Sequence, residues 1–178
     1  MRVVAISGSL RTGSSNSALL HAAATVAPAG MEFVFYGGIG GLPHFNPDLD
    51  GEGAVPPAAV AELRALLAAA DGVIISCPEY AHGVPGSLKN ALDWIVSSGE
   101  LTDKPLVLAN ASAAGGERAQ AALVETLTVM GANVLVEESL LAPFLRKKLE
   151  SQGGVLDTDA AQALRTSLVA LASAIATR

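Results

Sequence analysis

The sequence predicts an α/β protein built on a doubly wound sheet of five parallel strands, with helices on both faces. Three observations predict it. Short β-branched or aliphatic runs alternate with alanine- and leucine-rich stretches of helical length, the rhythm of strand-helix-strand units. The 51% hydrophobic content comes from Ala, Val and Leu rather than from aromatics, at 4%, so helices must approach the sheet closely through small side chains. The 178 residues suit one domain that buries roughly two thirds of the surface of its unfolded chain.

In chain order, RVVAIS at 2–7 reads as the first strand, and the alanine- and leucine-rich stretch near 16–27 as the first helix. MEFVFY at 31–36 is the second strand. Pro56-Pro57 can open a helix near 57–70, because a proline's missing N–H is not needed in a first turn. GVIISC at 72–77, a helix near 86–97, PLVLAN at 105–110, a helix near 117–130 and NVLVE at 133–137 follow. Asp157 or Thr158 can cap a last helix near 158–176. The connection from Gly37 to Val55 is too long and glycine-rich for a simple joint, and such loops tend to serve function or interfaces.

Composition excludes several classes. A net charge of −6 argues against a nucleic-acid surface, and the only basic run, Arg146 to Lys148, reads as a solvated loop. The longest apolar runs fall far short of the roughly 18 residues of a membrane span, and the N-terminus lacks the layout of a signal peptide. A cytoplasmic protein without a membrane partner is expected. Cys77 is the only cysteine, so a disulfide, a dithiol centre and a cysteine metal cluster are all ruled out within the chain. No metal site is expected, and redox chemistry would have to come from a cofactor.

In a doubly wound sheet the ligand sits at the carboxyl ends of the strands, where the winding reverses. Three loops meet there: Gly8 to Ser15, Pro78 to Pro85 and Ala111 to Gly116. The first, GSLRTGSS, nearly spells a nucleotide-triphosphate loop, but Ser14 stands where the lysine belongs. The strands ending SCPEY and ANAS also lack an aspartate for Mg²⁺. The glycine spacing does not fit G-x-G-x-x-G, and FYGG carries no acidic ribose ligand. A monophosphate is better served, by Ser9, Arg11, Ser14, Asn16 and Ser17 at a helix start. Alone, the loop could equally be a turn with Ser14 or Ser15 as helix cap.

The next loop adds specificity. Gly-Ser-Leu-Arg-x-Gly-Ser-x-Asn at 8–16, paired with Pro-Glu-Tyr and Pro-Gly-x-Leu-Lys-Asn-Ala-x-Asp-Trp within 78–94, resembles the NAD(P)H-dependent FMN reductase family of flavin, quinone, azo-dye and chromate reductases. The likeness covers about three quarters of the chain. It implies a flavodoxin-like fold binding FMN, with Ser9, Arg11, Ser14 and Asn16 at the phosphate and Ser17 as an added donor. It also implies that Pro78, Glu79, Tyr80 and Gly83 hold the isoalloxazine edge largely through backbone groups, with His82 beside them. Ser112, Gly115 and Gly116 resemble a third flavin-side loop, followed by Arg118, and Ala81 stands where many members carry Asn. A homodimer or homotetramer pairing through the helix at 86–97 is implied too.

The expected reaction is hydride transfer from NADPH or NADH to the flavin, then to a small-molecule acceptor in the same slot, with ping-pong kinetics. No catalytic residue is certain. Tyr80 borders the flavin or the nicotinamide slot, and His82 is a candidate to protonate a reduced acceptor, although a solvent-reachable loop histidine more often has no such role. The Glu79 carboxylate is expected to make a structural or interfacial bond. Cys77 reads as a small buried hydrophobe, Lys89 and Asp93 as a surface ion pair, and Trp94 as filler of core or interface. The competing readings are a flavodoxin-type electron carrier and a nucleotide hydrolase.

Overall fold

The computed structural model describes residues 1–111, 116–141 and 158–178. The strands are β1 (Arg2–Ser7), β2 (Glu32–Tyr36), β3 (Gly72–Ser76), β4 (Pro105–Asn110), β5 (Asn133–Val134) and β6 (Leu140–Leu141). The helices are α1 (Ser15–Thr25), α2 (Ala58–Ala68), α3 (Gly86–Asp93), α4 (Glu117–Val129) and α5 (Thr158–Ala176). The strands pair in parallel in the order β2-β1-β3-β4-β5, with β6 also on β4. The winding therefore reverses at β1, with β2 on one side of it and β3 on the other.

The alternation of strand side chains sorts the core into two layers. Val4, Ile6, Val73, Ile75, Leu106 and Leu108 face α2, α3 and α4. Val3, Ala5, Ile74, Val107 and Ala109 face α1 and α5, against Leu19, Leu20, Leu164 and Leu168. Because both faces of β3 and β4 are covered, every residue of either strand is buried.

Three elements differ from expectation. The strand expected at 133–137 is two short pieces, β5 beside Pro105 and Leu106 and β6 beside Ala109 and Asn110. Between them the exposed Val136 and Glu137 turn outward, and Ser139 fills the gap in the ladder. Its Oγ accepts from the Leu108 N–H at 3.0 Å and donates to the Leu135 carbonyl at 2.8 Å. The helix expected to reach 97 stops at Asp93, and the chain continues in turns to Gly99. Pro57 occupies the cap position of α2, not its first turn, its carbonyl accepting from Val60 and Ala61.

The long connection from Gly37 to Val55 holds two 3-10 turns, Gly38–Gly41 and Pro47–Leu49, and is pinned to the α3 segment. Asn90 Nδ2 and Trp94 Nε1 both donate to the Pro43 carbonyl, and Asn90 Oδ1 accepts from the Phe45 N–H. Farther along, Asp50 pairs with Arg64 and accepts from Ser97 Oγ, while Arg64 also donates to the Trp94 carbonyl. Burial alone would raise the Asp50 pKa. The hydrogen bonds from Ser97 and Arg64 and the guanidinium charge outweigh it and hold the carboxyl below its usual value.

Folded Asp50 thus binds fewer protons than unfolded Asp50 between those two values. Its contribution to stability is present above the usual carboxylate range and is lost as pH falls through the lowered value. Asp50→Asn is expected to flatten the acid limb of a plot of Tm against pH, measured from about pH 6 down to about pH 3. An acid limb as steep as that of the natural chain would assign the effect to other carboxylates.

Candidate active site

The first two loops expected to form the site, with Ala111 and Gly116 at the ends of the third, lie together at the carboxyl edge of the sheet, and specific contacts join them. The Gly8 N–H donates to the Ser76 carbonyl at 2.8 Å, so the first loop touches the end of β3. A Cβ on Gly8 would stand 3.0 Å from Leu88 Cδ2 and 3.3 Å from Pro78 Cδ, so a side chain there would force the first two loops apart.

At the head of α1, Ser14 is the N-cap, its Oγ accepting from the Asn16 N–H at 3.2 Å. The capping role available to Ser14 is therefore real, and its hydroxyl proton remains to be donated. Ser17 turns inward and donates to Ser7 Oγ at 3.0 Å. Ser9 Oγ accepts from the Arg11 N–H and lies 3.3 Å from the Tyr80 hydroxyl, closing the first loop against the second. The Arg11 side chain is exposed and has no acidic partner among the described residues.

Asn16 is the most connected side chain of the set and is almost wholly buried. Its Oδ1 accepts from Ser76 Oγ at 2.8 Å and from the Ala111 N–H at 3.2 Å, so one amide ties α1, β3 and the loop after β4.

In the second loop, Tyr80 and Gly83 exchange both backbone hydrogen bonds, at 3.1 and 3.0 Å. The two residues between them, Ala81 and His82, have φ of 50° and 61°, the mirror-image turn that favours Asn-Gly. This modifies one expectation. The Tyr80 and Gly83 N–H groups are spent on each other, so only those of Ala81 and His82 are left at the tip to meet a flavin edge.

An alanine in the left-handed region costs about 1 kcal/mol, and Asn tolerates that region better. Ala81→Asn is therefore expected to raise Tm by about 2–4 °C for a chain of this length. A lower Tm would mean that the turn is held by contacts which the longer side chain disrupts.

Glu79 braces this turn from below. Its Oε2 accepts from the Arg118 and Ala119 N–H groups, each at 3.0 Å, and Oε1 lies 3.1 Å from His82 Nδ1. The bond from Ala119, then that from His82, lowers the carboxyl below its usual pKa. A carboxylate at the unsatisfied amides of a helix start is favoured by charge and by hydrogen bonding. The structural bond expected of Glu79 is thus present. Pro78 is buried beneath it, while Tyr80 and His82 are exposed.

Ser112 and Gly115 lie outside the described residues. Gly116 caps α4 with φ of 145°, and a Cβ there would run into the Asn110 amide, so the position needs glycine. Burial, then the Glu79 charge, pushes the Cys77 thiol up to about 12, which leaves it protonated at neutral pH. Lys89 and Asp93 form the expected i,i+4 pair, and Trp94 is core. Ser7 and Ser76 were absent from the sequence-derived set. The available clue was a hydroxyl residue ending two otherwise aliphatic strands, RVVAIS and GVIIS.

The family model described as NADPH-dependent FMN reductase matches residues 1–145. The chain belongs to this family. An NAD(P)H-dependent FMN reductase of Pseudomonas aeruginosa is 35% identical over 175 residues, covering 96% of this chain and 93% of the relative. A quinone reductase of Escherichia coli K12 is 34% identical over 158 residues, covering 86% and 84%. Among solved structures, FerB, a flavoenzyme NAD(P)H:(acceptor) oxidoreductase from Paracoccus denitrificans, superposes with a TM-score of 0.86 at 28% identity, covering 99% of this chain and 97% of FerB. This reductase is therefore an enzyme of flavodoxin-like fold whose family works with a flavin and a nicotinamide donor. No helix among its described residues is long and apolar enough to cross a membrane.

Proposed function

We propose that the chain binds FMN with the phosphate at Gly8–Ser17 and the ring along Pro78–Gly83 and Ser112–Gly116, and that it reduces a small-molecule acceptor. The observation that carries this reading is that Asn16, Glu79 and Gly8 tie the first two loops to β3, Ala111 and the start of α4, with cationic and amide donors left over at one end.

The residues present fit a flavin monophosphate. Among the described residues Arg11 is a cation with no acidic partner and Asn16 Nδ2 is an unspent amide donor, and the backbone at the start of α1 adds its dipole. Ser9, Ser14 and Ser17 line the same turn. Tyr80, its hydroxyl near Ser9, would flank the ring, and the Ala81 and His82 N–H groups would be the donors available to its edge. His82 stands on solvent-exposed chain, where it can pass a proton to a reduced acceptor.

When bound, FMN supplies the redox chemistry, taking a hydride from NADPH or NADH and passing it to a free flavin, quinone, azo compound or metal oxyanion in a ping-pong cycle. The exposure of Tyr80 and His82 leaves this face open, which supports one slot shared in turn by donor and acceptor. The chain 1–178 acts as one domain in the cytoplasm and assembles as a homodimer or homotetramer.

The test is an anaerobic titration of the FMN-loaded protein with NADPH, followed through the visible flavin band. Bleaching is the expected result. A flavin that binds but stays oxidised would make the protein an electron carrier, and failure to take up FMN at all would overturn the reading. Parallel double-reciprocal lines with a quinone support the shared slot, whereas intersecting lines would replace it with two sites.

A further inference from the structure

Ser76 is completely buried at the end of β3, where the neighbouring strand positions are aliphatic. A hydroxyl in such a place must find a partner, and this one donates to Asn16 Oδ1 at 2.8 Å. The second donor to the same oxygen, the Ala111 N–H, can only donate, so the atom it meets must be the amide oxygen and not the nitrogen. The Ala111 N–H fixes which way the Asn16 amide points, and the Ser76 hydroxyl anchors its oxygen from the side of β3. Its Nδ2 makes no hydrogen bond within the described residues, and Asn16 stands in the first turn of α1, two residues after the Ser14 cap. Rotation of the amide by half a turn would set two donors against each other in a buried place.

We propose that Ser76 is a positioning residue for the phosphate of FMN: its hydroxyl anchors the Asn16 amide, oriented by the Ala111 N–H, so that Nδ2 is the end held toward the anion. The proposal rests on the reading that the Gly8–Ser17 loop takes the phosphate. Ser76 itself touches no ligand. It acts by holding the amide in place and by linking the start of α1 to β3, so that the donor is set before the anion arrives.

The measurement is the ratio of riboflavin to FMN dissociation constants, from flavin fluorescence quenching by the apoprotein. In the natural chain the ratio is expected to be well above one; a ratio near one would remove the phosphate reading and this proposal with it. In Ser76→Ala the ratio is expected to fall about fivefold, because FMN loses affinity while riboflavin stays within about twofold. Ser76→Thr, which keeps the hydroxyl, is expected to retain the ratio. Should Ser76→Ala not yield folded protein, Ser76→Cys, of similar size and a feeble donor, is read on the same ratio with the same fall expected. A preserved ratio in Ser76→Ala or Ser76→Cys, or equal losses for both flavins, would overturn the role of Ser76 while leaving the phosphate site standing.

Discussion

Replacing Arg11 with alanine is expected to weaken FMN binding about 30-fold while changing riboflavin binding by no more than about twofold. The argument starts from what Arg11 does not do. Its guanidinium has no acidic partner among the described residues, and the fold makes no use of its charge. Removing it should therefore leave Tm almost unchanged, and any loss of affinity belongs to the ligand. A charge-assisted hydrogen bond to a phosphate is worth about 2 kcal/mol at a partly exposed place, which sets the size of the effect. Arg11→Lys keeps the charge but loses the planar fork and should recover only part of the affinity. The advantage of FMN over riboflavin should also shrink as salt rises, since the contact is exposed. Isothermal titration with both flavins decides it. Equal losses would reduce the loop to a turn joining strand and helix.

The fold was legible in the sequence because both signals it rests on are local. Aliphatic runs such as RVVAIS and GVIIS make strands wherever both faces can be covered, and the glycine-serine turn after the first places a helix start at the winding reversal. The Gly8–Ser17 motif is just as local, its residue types and spacing lying within ten consecutive positions.

What escaped depends on chain segments that meet only after folding. The fifth strand breaks because Ser139 can replace a ladder partner for Leu108, a choice set by β4 and invisible in NVLVE. Glu79 finds its partners at Arg118 and Ala119, about 40 residues away. The Asn16 amide is shared between β3 and the loop after β4, so its orientation follows from Ser76 and Ala111 and not from its own motif. These long-range ties hold the first two loops, Ala111 and the start of α4 against one another, and preorganisation is the protein's share of the work when a cofactor carries the chemistry.

The largest loss of stability is expected from Trp94→Ala, at about 3–5 kcal/mol, or a Tm lower by about 6–20 °C. Trp94 is fully buried, packs edge-on against Phe45 with ring centroids 5.2 Å apart, and donates Nε1–H to the Pro43 carbonyl at 2.8 Å. Truncation would leave a ring-sized cavity and take away one of the two donors to the Pro43 carbonyl, which Asn90 Nδ2 still meets. Trp94→Phe separates the two effects: most of the apolar ring remains, and the expected cost is about 1–2 kcal/mol for the lost hydrogen bond and the smaller ring. The consequence reaches the candidate site through the 37–55 connection. Leu10 of the phosphate loop lies so close to Gly40 that a Cβ there would be 3.0 Å from Leu10 Cδ2, and the chain just beyond Gly40 is held to α3 by Trp94 and Asn90. Loosening that connection should cost FMN and riboflavin affinity alike, in contrast to Arg11→Ala. Thermal melts and flavin titrations on the same preparations check both halves. If Trp94→Ala melts within about 2 °C of the natural chain, the connection must be held by Asp50, Arg64 and Asn90 without it.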